Sequence, residues 1–279
     1  MFVMEANLKQ IKKNVFHRSL TSESNIKLRK DAYKINSSQA LAIDFWGCIK
    51  LSPYKDRLIN EIFNKKADGW DIKFEFKSKT NLNEKTPSQI DILIEIPDYA
   101  IIIESKFTEK SGGGCSLAKK NNNGILQCNG NYSSQTNPLN NIVSSCPLSG
   151  KGIKYWDYIS KLTKYDKDVD YSPCPFIKGE YQWMRNICFA EAYAEIANKH
   201  TESFLAYFQS PKCKISNDVD NNIYLGKLSD QLINPKAFSP ISYNSLLDIC
   251  LKCVEDDINE KLIWLELKKW MYNKERMIK

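Results

Sequence analysis

The chain has 279 residues, 42% of them hydrophobic and 26% charged, with 40 Lys and Arg against 33 Asp and Glu for a formal net charge of +7. This is the composition of a folded globular chain and excludes a disordered one. No window approaches the roughly 18 apolar residues of a membrane span, and the first residues, MFVMEANLKQIKK, lack an apolar core of signal-peptide length, so a soluble cytoplasmic protein is expected.

Residues 1–34 read as a basic N-terminal arm, with Lys9, Lys12, Lys13, Arg18, Lys27, Arg29, Lys30 and Lys34 against few acids. Lys268, Lys269, Lys274, Arg276 and Lys279 make the C-terminal end basic as well. Ends of this kind either follow phosphates or form solvated helix faces. Residues 35–279 read as a single domain. Ser37 and Ser38 can cap a helix carrying Ala40, Leu41, Ile43, Phe45 and Trp46. Ser52-Pro53 then predicts a second helix, with Ser52 as N-cap and Pro53 at the first helical position. Glu61 falls beside Leu58 and Ile62, on the flank of its apolar stripe. The period then changes to two. Trp70, Ile72, Phe74 and Phe76 alternate with Asp71, Lys73, Glu75 and Lys77, predicting a half-exposed strand.

After a polar loop, IDILIEI and AIIIESKF flank Pro97-Asp98-Tyr99, which reads as a hairpin over 90–107. Residues 111–175 form a cysteine-bearing insertion rich in Gly and Asn, with little periodicity at its start. Helical pattern returns at Ile153–Leu162 and Tyr181–Asn198, and a last helix is expected from Asp256 to about Asn273.

The hairpin carries the chemistry. Glu104 and Lys106 are two residues apart and project from one face of a strand, while Ile101 and Ile103 project from the other. Charges at the end of so apolar a strand are costly unless they meet a partner. If the loop holds two or four residues centred on Pro97-Asp98, Asp91 lies opposite Glu104, with Cβ atoms about 4.5–5.5 Å apart. A three-residue loop would oppose Asp91 to Ser105 instead and destroy the cluster. Paired carboxylates need a cation or a shared proton, and an all-oxygen donor set suits Mg²⁺ or Mn²⁺. An adjacent lysine can orient water and hold a phosphate oxygen, which is the chemistry of phosphodiester hydrolysis.

Asp91 with the triplet Glu104-Ser105-Lys106 resembles the PD-(D/E)XK nuclease superfamily, although Ile90 stands where the motif has Pro. INSSQALAIDFWG, ESKFTEK, CPL, YW and CPF…GEYQWMRN, in that order, are similar to a bacterial subfamily of restriction-type endonucleases. The resemblance implies an α/β fold with a mixed central sheet flanked by helices, to which the sequence pattern adds a helical C-terminal part. It implies Asp91 and Glu104 as metal ligands, Lys106 as the catalytic lysine, and Glu61 where an upstream helix supplies a further acid. It also implies double-stranded DNA as substrate, with restriction-like cleavage of foreign DNA as the role. Repair or exonucleolytic processing is the alternative enzyme, and a non-catalytic DNA-binding module is the alternative of another class. Two-strand cutters of this kind often dimerise, so a homodimer belongs to the expectations. Related nucleases carry Gln-x-x-x-Tyr on a later helix; here Gln182 is followed by Asn186, and Gln182 and Arg185 are the candidates for DNA backbone contact.

Nine cysteines, an odd number, point to reduced thiols. Cys115, Cys128, Cys146 and Cys174 all fall in loop-like segments of the insertion. Four thiolates can hold Zn²⁺ or an iron–sulfur cluster and would tie together a segment with no core of its own, although no close Cys-x-x-Cys pair occurs among them. Cys250 and Cys253 have helical surroundings, and Cys48, Cys188 and Cys213 are expected to pack as small apolar groups.

Overall fold

The computed structural model describes residues 14–17 and 32–278. Helix α1 (Ser38–Leu51) is capped by Ser37, whose side chain accepts the Ala40 N–H. Helix α2 spans Lys55–Phe63 and ends on Asn64 in the left-handed conformation. It starts later than Ser52-Pro53 predicts. Ser52 closes α1 instead, and its hydroxyl accepts the Tyr54 N–H at 3.1 Å while donating to Glu260 at 2.6 Å. A long-range polar contact has taken the side chain that local propensity assigned to a cap.

Strands β1 (Asp71–Lys77), β2 (Gln89–Ile96) and β3 (Tyr99–Lys106) form an antiparallel meander. The chain then runs through the insertion, which contains the small ladder β4 (Gln135–Thr136) with β5 (Val143–Ser144). Helices α3 (Tyr155–Leu162) and α4 (Tyr181–Ala197) lead to β6 (His200–Tyr207), parallel to β3. Short helices α5 (Lys214–Asp220) and α6 (Leu225–Gln231) precede β7 (Phe238–Ser242), parallel to β6. Helices α7 (Tyr243–Cys253) and α8 (Ile258–Arg276) end the described chain. The sheet order is β1-β2-β3-β6-β7, a mixed five-stranded sheet with helices on its faces, as in a restriction endonuclease-like core. No described helix is long and apolar enough to cross a membrane.

The central strands β2 and β3 are buried along nearly their whole length, which their unbroken Ile and Leu content requires. Edge strand β1 departs from strict alternation. Phe74 packs with Val15, Ala40 and Ile43 near α1, whereas Phe76 meets Tyr193 of α4 at 5.7 Å between ring centroids. The two aromatics predicted to share a face therefore reach different layers. Between them Glu75 holds φ at +50°, a conformation costly for a residue with a Cβ, and the strand rotates there.

Of the predicted basic arm, Lys34 is described, and the cations of 1–13 and 18–31 lie outside the described residues. Val15 and Phe16 are buried, and the Phe16 N–H donates to Asp44 Oδ1 at 2.7 Å. Lys274 is not on a solvated or phosphate-facing surface either. It is 1% exposed and donates to Asp44 Oδ2 (2.5 Å) and to the Asn14 carbonyl (2.6 Å), tying α8 to α1 and to the N-terminal segment.

Candidate active site

The loop between β2 and β3 has two residues, Pro97 and Asp98, and the register pairs Ile92 with Ile103. One step further along that register Asp91 faces Glu104. Both carboxylates are buried, and so is Lys106, each under 10% exposed. Lys106 Nζ lies 2.6 Å from Glu104 Oε1. Asp91 Oδ2 accepts the Ser105 N–H at 2.9 Å, which fixes its carboxylate against the end of β3. The Ser105 hydroxyl points to the opposite face of the sheet, where it pairs with the Tyr243 hydroxyl at 2.8 Å.

Two further groups complete the cluster, neither singled out by the sequence. On the β1 side the register that joins Phe74 to Ile92 and Phe76 to Ile90 sets Glu75 across from Asp91. The Glu75 carboxylate accepts Gln39 Nε2 of α1 at 2.5 Å. On the α4 side, buried Asn186 donates its amide to Glu104 Oε2 at 3.0 Å. Asn186 occupies the position where the related motif carries Tyr. The signal for Glu75 was hidden because it reads as one of the solvent-facing residues of an alternating strand; only its left-handed backbone and the register reveal it.

The electrostatics follow from burial and proximity. Burial raises the Asp91 pKa to about 7, with the neighbouring Glu104 charge adding to the rise, Lys106 opposing it and Glu75 contributing again. Burial also pushes Glu104 upward, but the Lys106 charge and hydrogen bond, Asn186 and Arg185 outweigh it and leave the carboxyl below its ordinary range. Lys106 is raised: burial would lower it, but Glu104, Glu109 and Asp91 prevail. The group therefore holds more negative charge than Lys106 balances when all its acids are ionised. Its hard oxygen donors have the chemistry of a Mg²⁺ or Mn²⁺ site. Among the described residues no three His, Cys, Asp or Glu side chains converge as placed on one point that would hold an ion, since Glu104 is closed on Lys106.

Glu61 does not join this cluster. It is exposed on α2, beside Arg57, Asn60 and Lys65 in a shallow concavity, and its charge acts on Cys253 of α7. Just past the end of the helix, Lys65 bonds the Tyr99 hydroxyl at 2.6 Å, at the opposite end of β3 from Glu104. Five residue steps along the strand separate those ends, roughly 16 Å. The upstream helix that reaches the acids is α1, through Gln39, not α2.

Gln182, Arg185 and Asn186 share one face of α4, three and four residues apart. Arg185 is half-buried, its charge reaches Glu104, and its Nε makes no hydrogen bond among the described residues. Gln182 stands a turn earlier, its backbone N–H bonded to the Gly112 carbonyl at 2.9 Å. It gives no side-chain hydrogen bond to Asp91 or Glu104 among the described residues. Trp183, fully buried, lies with its ring 5.9 Å from Lys106 Nζ and forms one wall.

The four insertion cysteines are half-buried and unpaired in disulfides, and Cys48, Cys188, Cys213, Cys250 and Cys253 are buried. Comparison with known proteins gives one match: the model of a family described as "Restriction Endonuclease associating with ARP" matches residues 2–263. No curated protein and no solved structure matches the chain.

Proposed function

The chain belongs to the family of restriction endonucleases associating with ARP, and from that premise we propose a metal-dependent endonuclease that hydrolyses DNA phosphodiester bonds. The observation that carries this reading is the pairing of Asp91 and Glu104 across β2 and β3, with Lys106 at 2.6 Å from Glu104. Asp91 and Glu104 are the residues that would hold Mg²⁺ or Mn²⁺, with Glu75 as a third carboxylate on the opposite side of Asp91. A divalent ion there supplies neutralisation of the phosphate charge and acidification of water.

The chain's own groups do the rest. The Lys106 ammonium donates to a non-bridging phosphate oxygen or to the attacking water, and Glu104 sets its direction. Asn186 keeps the Glu104 carboxylate from rotating, a role supported by its amide contact and its burial. Arg185, with a guanidinium only partly engaged, faces the strand to be cut and pairs with a phosphate. Restriction of foreign DNA is the biological role that fits a family of this description. The family's association with ARP makes a partner chain part of the reading.

Cleavage of plasmid and phage DNA with Mg²⁺, Mn²⁺ or EDTA, with Glu104→Ala alongside, tests the proposal. Cutting that needs the ion and disappears in the variant is expected, and discrete fragments would add sequence specificity. Binding of DNA with no cutting under any ion, by the chain alone or with its partner, would replace the nuclease by a binding module.

A further inference from the structure

Residues 111–175 pose a problem of cohesion. Helix α3 and the stacked rings of Tyr132, Trp156 and Tyr171 give the second half a core, but residues 111–150 contain two strands of two residues each, few buried side chains and long stretches with no regular structure. A segment of that length needs something other than a core to hold it. The hydrogen bonds show where its loops meet. Segment 128–131 is a hub. The Cys128 N–H bonds the Leu117 carbonyl at 3.0 Å, and the Cys174 N–H bonds the Gly130 carbonyl at 2.9 Å. Gln135 links the same hub to the fourth loop: its Oε1 accepts the Asn129 N–H at 2.9 Å and its Nε2 donates to the Ser145 carbonyl at 3.3 Å. Each of these contacts lies within two residues of Cys115, Cys128, Cys146 or Cys174.

The four thiols lie near enough to act on one another: charge on Cys128 or Cys146 is felt at Cys115, and charge on Cys115, Cys128 or Cys146 at Cys174. The Cys128 sulfur accepts the Gly130 N–H at 3.4 Å. Four neighbouring thiolates repel strongly and require a cation. Without one, burial holds Cys115, Cys146 and Cys174 protonated, with pKa values above the ordinary thiol range.

We propose that Cys115, Cys128, Cys146 and Cys174 form a structural four-thiolate Zn²⁺ site that fastens the insertion to the start of α4. Soft thiolates select Zn²⁺ or an iron–sulfur cluster. A single tetrahedral ion is the smaller of the two groups, and the loops that carry the four cysteines are already joined by hydrogen bonds. In the metal-free arrangement no three sulfurs are closed on one point. The site lies against α4: the carbonyls of Gly112 and Gly113 accept the N–H groups of Gln182 and Tyr181, and the charges of Cys115 and Cys146 act on Tyr181. Arg185 and Asn186 follow one turn later. The ion would thus hold the helix that braces Glu104. The inference does not depend on the nuclease reading, since its readout is metal content and ligand geometry, not cleavage.

The test uses the full untagged chain from medium supplied with both zinc and iron. About one zinc per chain is expected, with neither iron nor acid-labile sulfide. Exchange to Co²⁺ should give thiolate-to-cobalt charge-transfer absorption and the intense visible bands of a tetrahedral ion. Serine at any one of Cys115, Cys128, Cys146 or Cys174 should lower retained zinc at least tenfold in competition with a chelator, whereas Cys253→Ser should leave it unchanged. If the site variants fail to fold, the wild-type cobalt spectrum decides. A metal-free protein, stoichiometric iron and sulfide, an octahedral cobalt spectrum, or zinc retained in all four variants would each overturn the proposal.

Discussion

The catalytic hairpin and the insertion that follows it place polar groups by opposite means. In the hairpin, backbone pairing does the work: ladder hydrogen bonds between β2 and β3 fix the register, and an apolar core fixes which face each side chain takes. Asp91, Glu104 and Lys106 then have little freedom left, and their electrostatics follow from burial. In the insertion, the backbone has almost no ladder, and individual contacts such as those of the Gln135 side chain join the loops. A register is specified by periodicity, and one slipped residue would invert it. A loop crossing is specified by individual contacts, each replaceable. The first region is therefore expected to survive loss of a functional side chain, and the second to depend on its cross-links.

Changes at the hairpin should damage chemistry without damaging fold. Glu104→Gln is expected to lower cleavage by about 10³-fold, the several kcal/mol that a lost charge clamp costs in the transition state, while circular dichroism and zinc content stay as in wild type. A collapse of the far-ultraviolet signal instead would mean that the Glu104–Lys106 pair also supports the sheet.

Asn186→Leu comes next in size. It removes the amide that holds Glu104 Oε2, and a loss of about 10–100-fold in activity or in Mg²⁺ affinity is expected. Mg²⁺ titrations of the rate would separate the two, and Asn186→Gln should recover part of the loss. An unchanged rate would remove Asn186 from the positioning role.

The third effect concerns stability and pH. The folded pKa of Asp91, at about 7, lies above its unfolded value. Such a group binds more protons folded than unfolded, so the stability it contributes is present at acid pH and is lost as pH rises through about 7. In EDTA, the melting temperature should fall by a few degrees between about pH 4 and pH 7 and level off above that. Asp91→Asn should flatten that slope. A steeper slope in the variant would assign the titration elsewhere.

The smallest effect is expected at Glu61. Its exposed position on α2, with no place among the acids, predicts a stability change within about 0.5 kcal/mol and unaltered cleavage for Glu61→Gln. A large loss of activity would return it to the site.

Much of the fold was legible because its elements differ in period. The apolar runs of β2 and β3, the turn at Pro97-Asp98 and the helical pattern of 181–198 appear in the structure within a residue or two of their predicted limits. The pairing of Asp91 with Glu104 followed from loop length, given the two-residue loop. Lys106 was legible because it and Glu104 fall on one face of a single strand. Glu61 illustrates the limit: helix phase placed it beside an apolar stripe, but phase does not say which end of the sheet the stripe meets.

What the sequence determined by itself is thus local: spacing, face and turn are set by bonded geometry within a few residues. The tertiary structure alone decided that Glu75 takes a left-handed conformation opposite Asp91, that Asn186 and Gln39 reach the acids from two different helices, and that Lys274 is buried against Asp44. Each of these joins residues far apart in the chain, where local propensity carries no information. Each is fixed by the free energy of satisfying a buried charge, which depends on what the completed fold leaves within reach.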